Sequence, residues 1–219
     1  MPHQMIAVSS LRNRVTKSIT GLTLVLACLS AIGLTSQAFA SGEPGKPAPA
    51  LDLVDLNGKS VSLADHKGQW IVLEWTNPEC PFVQKHYKSD NMQTTQREVT
   101  GKKVFWIQIN STNPSHPEFK TPAKMAEWNS QMKASVSAAT LDRDGKTGRA
   151  YGAKTTPQMV LINPNGVVVY NGAIDSIRSA SAADIPKATN YLKQAVQEAL
   201  GGKPVSVPST TPYGCSIKY

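Results

Sequence analysis

The sequence predicts an α/β domain in which a mixed central sheet is flanked by helices. Strand and helix patterns alternate over residues 50–200, and the runs 70–75 and 104–109 are almost entirely apolar, which is typical of buried strands. Residues 158–170 then have the pattern of an antiparallel hairpin, and a helical pattern follows. A length of 219 residues suits one domain of good size.

The composition excludes several classes of protein. A hydrophobic fraction of 40%, a charged fraction of 17% and 15 residues each of glycine and proline are ordinary for a globular chain. Disorder, a collagen-like repeat and a disulfide-dense scaffold are therefore excluded. The net charge of +8 suggests a nucleic-acid or anionic-membrane partner, and three cysteines leave one thiol unpaired.

The first 40 residues predict a secretory signal peptide. Residues 1–18 hold three basic residues and no acidic one, the 16 residues 19–34 are uncharged, and Ala38-Phe39-Ala40 is a small-x-small cleavage motif. An uncleaved anchor helix is disfavoured because the apolar run is shorter than a bilayer span of about 20 residues. A lipidated Cys28 is disfavoured because the residues after it stay apolar.

Cleavage after Ala40 changes both the charge and the cysteine count. The remaining 179 residues have lost three positive charges and Cys28, which leaves a charge of +5 and two cysteines, Cys80 and Cys215. We expect a periplasmic or secreted protein with no stable membrane span after processing. Two thiols in an oxidising compartment can form a lasting disulfide.

Local patterns predict the elements of the first half of the domain. Residues 41–49 are rich in proline and glycine and form an extended arm. Asn57-Gly58 between short apolar runs predicts a hairpin. The buried strand over 70–75 leads into a turn and a helix that starts at Pro81, and a break at 89–91 begins a second helix.

The second half continues the alternation and ends in a tail. Its predicted elements are a strand over 104–109, an amphipathic helix over 121–133, a short strand over 136–141, a short helix over 146–151, hairpin strands over 158–162 and 167–170, and a helix over 184–199. Gly201-Gly202 ends the last helix. Residues 201–219 are rich in proline, serine and threonine and form a C-terminal tail that carries Cys215.

Cys80 is the candidate reactive residue. It follows a buried strand and precedes Pro81 at the first position of a helix. Unpaired backbone N–H groups and the positive end of the helix dipole favour a thiolate there, and the thiolate is the nucleophilic form of cysteine. The alternative is an inert buried cysteine or half of a structural disulfide.

These features together resemble the thioredoxin-like fold. The resemblance rests on the strand ending at Trp75, the turn into Cys80-Pro81, the segment Thr155-Thr156-Pro157 before a strand, and the closing hairpin and helix. It covers roughly residues 44–200. More narrowly, the chain resembles the redoxin branch, the alkyl hydroperoxide reductase and thiol-specific antioxidant-like proteins of the cell envelope, and residues 148–164 are the most specific stretch.

The resemblance implies roles for particular residues. Thr155-Thr156-Pro157 matches the family's cis-proline loop, which packs beside the active-site cysteine and pairs with the backbone of bound substrate. The expected substrate-binding residues are Thr156, Pro157 and Pro81. Glu74 lies six residues before Cys80, where thioredoxins hold a buried acid that carries protons to and from the thiol. The alternative for Glu74 is a strand residue that faces a polar neighbour.

The chain departs from both motifs of the families it resembles. A Cys-x-x-Cys site requires a cysteine where Val83 stands, so Cys80 has no adjacent partner. The peroxiredoxin motif Pro-x-x-x-Thr-x-x-Cys requires threonine at Asn77 and proline at Leu73. The candidates for a peroxide-activating arginine, of equal standing, are Arg143, Arg149 and Arg178.

Cys215 is the expected partner of Cys80, 135 positions later. Peroxidases that this chain resembles carry a resolving cysteine in a mobile C-terminal arm. That arrangement implies that Cys80 is oxidised to a sulfenic acid, which Cys215 condenses with to form a disulfide. The alternative is a permanent disulfide that holds the tail, and closing so long a loop stabilises by about 4–5 kcal/mol on the chain-entropy relation.

The sequence supports no other kind of site. His66, His86 and His116 lack the spacing of metal ligands, and His86 suits a surface or packing position. The run 142–145 lacks the further ligands of a calcium loop. The chain has no glycine-rich phosphate loop, and its tryptophans suit a core rather than nucleic-acid stacking. We therefore predict no cofactor, no metal and no nucleic-acid partner.

The sequence predicts an exported, antioxidant-type thiol oxidoreductase. Cys80 attacks a peroxide or a protein disulfide, Cys215 resolves the product, and the partner is a thiol reductant or a disulfide-bearing protein of the cell envelope. The rival is a non-catalytic thioredoxin-fold binding or scaffold protein with a structural Cys80–Cys215 disulfide. Such a disulfide is expected to have a reduction potential below about −300 mV.

Overall fold

The computed structural model describes residues 41–219, so the predicted signal peptide and its cleavage site at Ala40 lie outside the described residues. The strands are β1 (Asp52–Val54), β2 (Ser60–Ser62), β3 (Ile71–Trp75), β4 (Phe105–Asn110), β5 (Ala138–Leu141), β6 (Thr155–Thr156), β7 (Gln158–Ile162), β8 (Val168–Gly172) and β9 (Cys215–Ser216). The α-helices are α1 (Pro81–Lys88), α2 (Asn91–Thr100), α3 (Pro122–Gln131), α4 (Lys146–Ala150) and α5 (Tyr191–Leu200). Among these residues no helix has both the length and the apolar character that crossing a membrane requires.

A five-stranded mixed sheet forms the centre of the domain, in the order β5-β4-β3-β7-β8. Strands β3, β4 and β5 are parallel, whereas β7 and β8 run antiparallel to β3 and to each other. This confirms the predicted α/β, thioredoxin-like fold, and the short hairpin β1–β2 is also present. Because β3 is the middle strand, its carboxyl end carries the chain to Cys80 at the centre of one edge of the sheet.

The alternation along β3 separates two cores. Val72 packs with Val83 of α1 and Leu192 of α5 in one cluster, on what we call the site-side face of the sheet. Leu73 and Trp75 point to the opposite face, where the β1–β2 hairpin and the end of α4 cover them. Every residue of β3 is buried, including Glu74, whose side chain lies on the site-side face.

The predicted helix over 184–199 is wrong in its first half. Residues Ala182–Lys187 form a 3₁₀ segment, and the α-helix begins only at Tyr191. Pro186 has no N–H to donate and its ring obstructs a continuous α-helix. A new start follows at Asn190, whose side chain accepts a hydrogen bond from the Lys193 N–H at 2.9 Å.

The C-terminal tail packs along the domain. The hydroxyl oxygen of Thr210 accepts from the Ala173 N–H at 2.9 Å. Further along, the Ile217 N–H donates to the carbonyl of Lys154 at 3.0 Å. The Tyr219 hydroxyl donates to the Ala153 carbonyl at 2.8 Å. Hydrogen bonds along its whole length therefore fix the tail on the domain.

Candidate active site

Cys80 is placed by the end of β3 and the start of α1. Its backbone is extended, with φ −77° and ψ 121°, and it serves as the N-cap of α1 with Pro81 at the first helical position, as predicted. The side chain is buried, with 1% of its surface exposed. Its sulfur makes no capping hydrogen bond to the N–H groups of α1, so the contacts expected from the helix terminus are replaced by others.

Two backbone groups contact the sulfur of Cys80. The thiol donates to the carbonyl oxygen of Thr156 at 3.1 Å, and the N–H of Cys215 donates to the sulfur at 3.4 Å. The Thr156–Pro157 peptide bond is cis. Of the site residues proposed from the sequence, the structure thus brings Cys80, Thr156 and Cys215 together, while Pro81 follows Cys80 at the surface.

Strand β9 of the tail holds Cys215 in this place. It pairs antiparallel with β6, with Cys215 opposite Thr156 and Ser216 opposite Thr155. Gly214, immediately before, has φ +134°, and a Cβ there would overlap the Thr156 carbonyl oxygen. Only glycine fits this close approach. The tail therefore occupies the open edge of β6 directly beside the Cys80 sulfur.

The Cys215 thiol resists ionisation. Burial first of all, and then a hydrogen bond to Cys80 and the charge of that residue, raise the pKa of Cys215 from 9.0 to about 12. Cys215 therefore stays protonated at neutral pH. Both thiols are free in this structure.

Glu74 is fully buried in a network of polar side chains beneath the site. It accepts from the Tyr87 hydroxyl at 2.6 Å, the Gln96 amide at 3.0 Å and the Trp106 indole N–H at 2.8 Å. Burial raises the pKa of Glu74 above its ordinary value, although these donors lower it. Glu74 therefore lies on the site-side face of the sheet, as Cys80 does, but none of its hydrogen bonds goes to Cys80.

The positions that distinguish peroxiredoxins do not converge on the sulfur. The Asn77 side chain donates to Glu118 at 2.6 Å and accepts from the Glu79 N–H at 3.0 Å. The three candidate arginines are exposed, and the guanidinium of Arg149 lies over the ring of Tyr219, 4.4 Å from its centroid. Neither hydrogen bond at the Cys80 sulfur comes from an arginine.

A buried polar cluster beside the site was not found from the sequence. Its members are Lys85 and His86 of α1, Asp175 after β8, and Tyr213 of the tail. His86 is fully buried, which agrees with a packing position and not with a surface position. A lysine and a histidine in a polar helix look solvent-exposed in sequence, and the segments that cover them lie about 90 and 130 residues away. The local sequence holds no signal for such a contact.

Residues 41–219 contain no group of three or more histidine, cysteine, aspartate or glutamate side chains placed to hold a metal ion. The Asp142 carboxylate accepts from the Ser111 hydroxyl and from the N–H groups of Thr147 and Gly148. It therefore caps α4 from a buried position.

The family follows from a comparison with known proteins. The family model described as AhpC/TSA matches residues 44–171. The chain belongs to the AhpC/TSA family. This confirms the redoxin resemblance. The match ends at residue 171, so Asp175, Tyr213 and Cys215 lie beyond the matched residues.

The individual relatives of this AhpC/TSA protein share less than a third of its residues over the matched regions. It is 29% identical over 161 residues to the thiol-disulfide oxidoreductase ResA of Bacillus subtilis, a match that covers 68% of this chain and 80% of the relative. Among solved structures, it is similar to an uncharacterized conserved protein of Geobacillus kaustophilus, with a TM-score of 0.68, 24% identity, and coverage of 80% of this chain and 92% of the other. A hypothetical protein of Sinorhizobium meliloti 1021 also has a TM-score of 0.68, with 23% identity and coverage of 80% and 94%. The structural matches show a shared fold.

Proposed function

We propose that this AhpC/TSA protein is a thiol-disulfide oxidoreductase in which Cys80 and Cys215 are the reacting pair. The observation that carries the proposal is the approach of the Cys215 N–H to the Cys80 sulfur at 3.4 Å. The similarity to the Bacillus subtilis thiol-disulfide oxidoreductase supports the same chemistry.

The exchange takes two steps. The Cys80 thiolate attacks one sulfur of a substrate disulfide, so that a mixed disulfide forms and one substrate thiolate leaves. Cys215 then loses its proton and attacks the Cys80 sulfur, which releases the second substrate thiol. The protein dithiol becomes a Cys80–Cys215 disulfide and the two electrons pass to the substrate. An external dithiol reductant reverses the change and completes the cycle.

The resolving step requires Cys215 to ionise. When Cys80 loses its proton to become the nucleophile, its charge adds to burial in raising the pKa of Cys215. A mixed disulfide at Cys80 removes that charge, so the resolving thiolate becomes easier to form at the moment when it is needed. The order of the steps therefore follows from the proximity of the two cysteines.

Glu74 enters the proposal as an acid that exchanges protons with the site. Its pKa is raised by burial, which keeps it protonated at higher pH than an exposed glutamate. Its donors, Tyr87, Gln96 and Trp106, all belong to the site-side face. Direct transfer between Glu74 and Cys80 is not part of the proposal because no hydrogen bond joins them.

A disulfide is a better substrate for this site than a peroxide. The groups at the Cys80 sulfur are the backbone of Thr156 and of Cys215, and the side chain of Asn77 is engaged by Glu118. Activation of a peroxide requires hydrogen-bond donors aimed at the developing charge on its oxygens. The edge of β6, in contrast, already holds an extended segment whose cysteine faces Cys80.

Export to the periplasm or the exterior completes the proposal. It rests on the charge and hydropathy pattern of residues 1–40. Amino-terminal sequencing of the protein recovered from the cell envelope should start at Ser41, with disulfide-bearing envelope proteins as the partners. Recovery of the uncut chain from the cytoplasm would contradict this part of the proposal.

The activity is tested by turnover of a model protein disulfide with dithiothreitol as reductant. We expect turnover by the wild type, none by Cys80→Ser, and accumulation of a mixed disulfide at Cys80 in Cys215→Ser. A second assay with hydrogen peroxide in place of the protein disulfide distinguishes the oxidoreductase from a peroxidase. A peroxidase would consume peroxide faster than it reduces the protein disulfide. Absence of turnover on both substrates would leave the scaffold protein as the function.

A further inference from the structure

We infer that Asp175 is a positioning residue that holds Cys215 against Cys80, by binding Lys85 of the helix that begins at Cys80 and Tyr213 of the tail. The inference rests on the proposed function, because it assigns Cys80 and Cys215 as the reacting pair. It concerns a cluster that the exchange chemistry itself does not use.

The geometry of the cluster joins the two cysteine-bearing segments. The Lys85 ammonium lies 3.2 Å from one carboxylate oxygen of Asp175, and the Tyr213 hydroxyl donates to the other. Lys85 also lies 3.5 Å from that hydroxyl. Lys85 is in α1, five residues after Cys80, and Tyr213 precedes Cys215 by two residues. Asp175 therefore connects the helix of the nucleophile to the strand of its partner.

Aromatic packing strengthens the same connection. The ring of Tyr213 meets Phe82 of α1 edge-on, with 5.8 Å between the centroids, and the Lys85 ammonium lies 5.7 Å from the Tyr213 ring. Tyr213 is 3% exposed. These contacts of its side chain are thus with α1 and with Asp175, which itself belongs to the segment after β8.

The chain between Tyr213 and Cys215 leaves little freedom. Gly214 alone separates them, with φ +134° and its backbone against the Thr156 carbonyl oxygen. Once Tyr213 is seated on Asp175, the next residues follow directly into the β9 pairing with Thr156. The position of Tyr213 therefore sets the position of Cys215.

Stability alone is a weak reason for this cluster. Lys85 and Asp175 are at most 4% exposed, and removing two charges from water costs about as much as their attraction returns. Apolar side chains of similar volume are often at least as stabilising. A buried charged pair can instead specify which of several arrangements the chain adopts. Here the pair Lys85–Asp175 specifies where the tail lies, because Asp175 also binds Tyr213.

The groups that face the Asp175 carboxylate are hydrogen-bond donors or nitrogen atoms of basic side chains. One oxygen accepts from Tyr213 and from the Ile177 N–H at 3.1 Å, and the other faces Lys85 and the His86 ring nitrogen at 3.7 Å. Burial lowers the pKa of His86 to about 4, so the ring is neutral at neutral pH. Lys85, at 3.2 Å, is therefore the ion-pair partner of Asp175.

The inference is tested by the rate at which iodoacetamide labels Cys80 in the reduced full-length chain, followed by peptide mapping so that each cysteine is read separately. Cys80 is 1% exposed under the tail, so labelling requires the tail to open, and its rate follows the open population when opening is fast. Loss of a hydrogen bond to a charged group should raise that population about ten- to a hundredfold. We expect this increase in Tyr213→Phe and in Asp175→Asn.

Tyr151→Phe is the matched control. Its hydroxyl is also buried and donates to the Pro49 carbonyl at 2.7 Å, but it lies in the core on the opposite face of the sheet. Similar loss of thermal stability in Tyr151→Phe and Tyr213→Phe, with faster Cys80 labelling only in the latter, supports positioning. Equal labelling in the wild type and Tyr213→Phe, or equal acceleration in the control, would overturn it.

A second readout separates this inference from the proposed function. In glutathione buffers, Tyr213→Phe should shift the equilibrium between the reduced pair and the Cys80–Cys215 disulfide toward the reduced pair. The reason is that a tail that opens more often holds Cys215 beside Cys80 for less of the time. A tenfold shift corresponds to about 30 mV for this two-electron couple. If the wild type lacks turnover yet the labelling contrast holds, the proposed function fails and the positioning stands. If the wild type turns over substrate but the labelling contrast is absent, the proposed function stands and the positioning role of Asp175 fails.

Discussion

The backbone N–H of Cys215 reaches the sulfur of Cys80 across 3.4 Å, although 135 residues separate the two in sequence. The same residue pairs with Thr156, whose carbonyl oxygen accepts from the Cys80 thiol. One short strand of the tail thereby supplies the second thiol, contributes a hydrogen-bond donor to the first, and covers the edge beside it. In the proposed function, release of that strand exposes Cys80 to a substrate.

Gly214→Ala should open the tail. A Cβ would overlap the Thr156 carbonyl oxygen in a backbone conformation that L side chains rarely adopt. We expect Cys80 to be labelled by iodoacetamide at least about fivefold faster, since such backbone strain costs about 1–3 kcal/mol. Gly202→Ala is the control, because Gly202 also has a positive φ, +72°, but no atom of the described residues lies within 4 Å of the place where its methyl group would stand. Equal effects of the two substitutions would show that the close approach to Thr156 is unimportant.

Glu74→Gln should change how stability depends on pH. Because burial raises the pKa of Glu74, the folded protein keeps a proton that the unfolded chain releases above about pH 4.5. The free energy of unfolding of the wild type should therefore fall as pH rises from 4.5 through the raised pKa, and the variant should lose that decline. Urea denaturation between pH 4.5 and 8 measures it. A constant difference between the two proteins across this range would contradict the assignment.

His86 should make the protein sensitive to acid. Burial lowers its pKa from 6.5 to about 4, so the unfolded chain binds a proton in this window and the folded protein does not. The free energy of unfolding should fall by up to about 3 kcal/mol from this group as pH drops from 6.5 to 4. His86→Gln should flatten the dependence in chemical denaturation at several pH values. Parallel curves for the variant and the wild type would refute the shift.

Cys215 should react as a thiol of unusually high pKa. With a pKa of about 12, its rate of alkylation should still rise about tenfold per pH unit between pH 9 and 10, whereas an exposed thiol levels off near pH 8.5–9. Cys80→Ser removes the neighbouring charge and should lower the pKa of Cys215. Peptide mapping of the alkylated protein at each pH gives both profiles, and a plateau of the wild-type profile near pH 9 would be inconsistent with this structure.

The sequence was a good guide to the fold where local patterns decide the structure. The apolar run ending at Trp75, the Cys80-Pro81 helix start and the Asn57-Gly58 hairpin all depend on residues close in sequence, and each is present. The last helix was misplaced because Pro186 interrupts a pattern of apolar residues that continues through it. A periodic pattern alone does not show such an interruption.

The site was only partly accessible from sequence. Cys80 and Thr156 stand in recognisable local contexts, and the structure brings them together. The contacts of Asp175 with Lys85 and Tyr213 join segments about 90 and 40 residues apart, and no spacing rule predicts them. The path of the tail is decided by long-range packing of this kind, which local patterns do not encode.

The reduction potential of the Cys80–Cys215 disulfide is the most direct test of the account. The full-length protein is equilibrated with glutathione or dithiothreitol buffers, quenched with acid, and read by non-reducing peptide mapping. Exchange-active pairs have potentials from about −120 to −270 mV, and we predict a value in this range. A disulfide that remains oxidised below about −300 mV, or a pair that never forms one, would contradict the account.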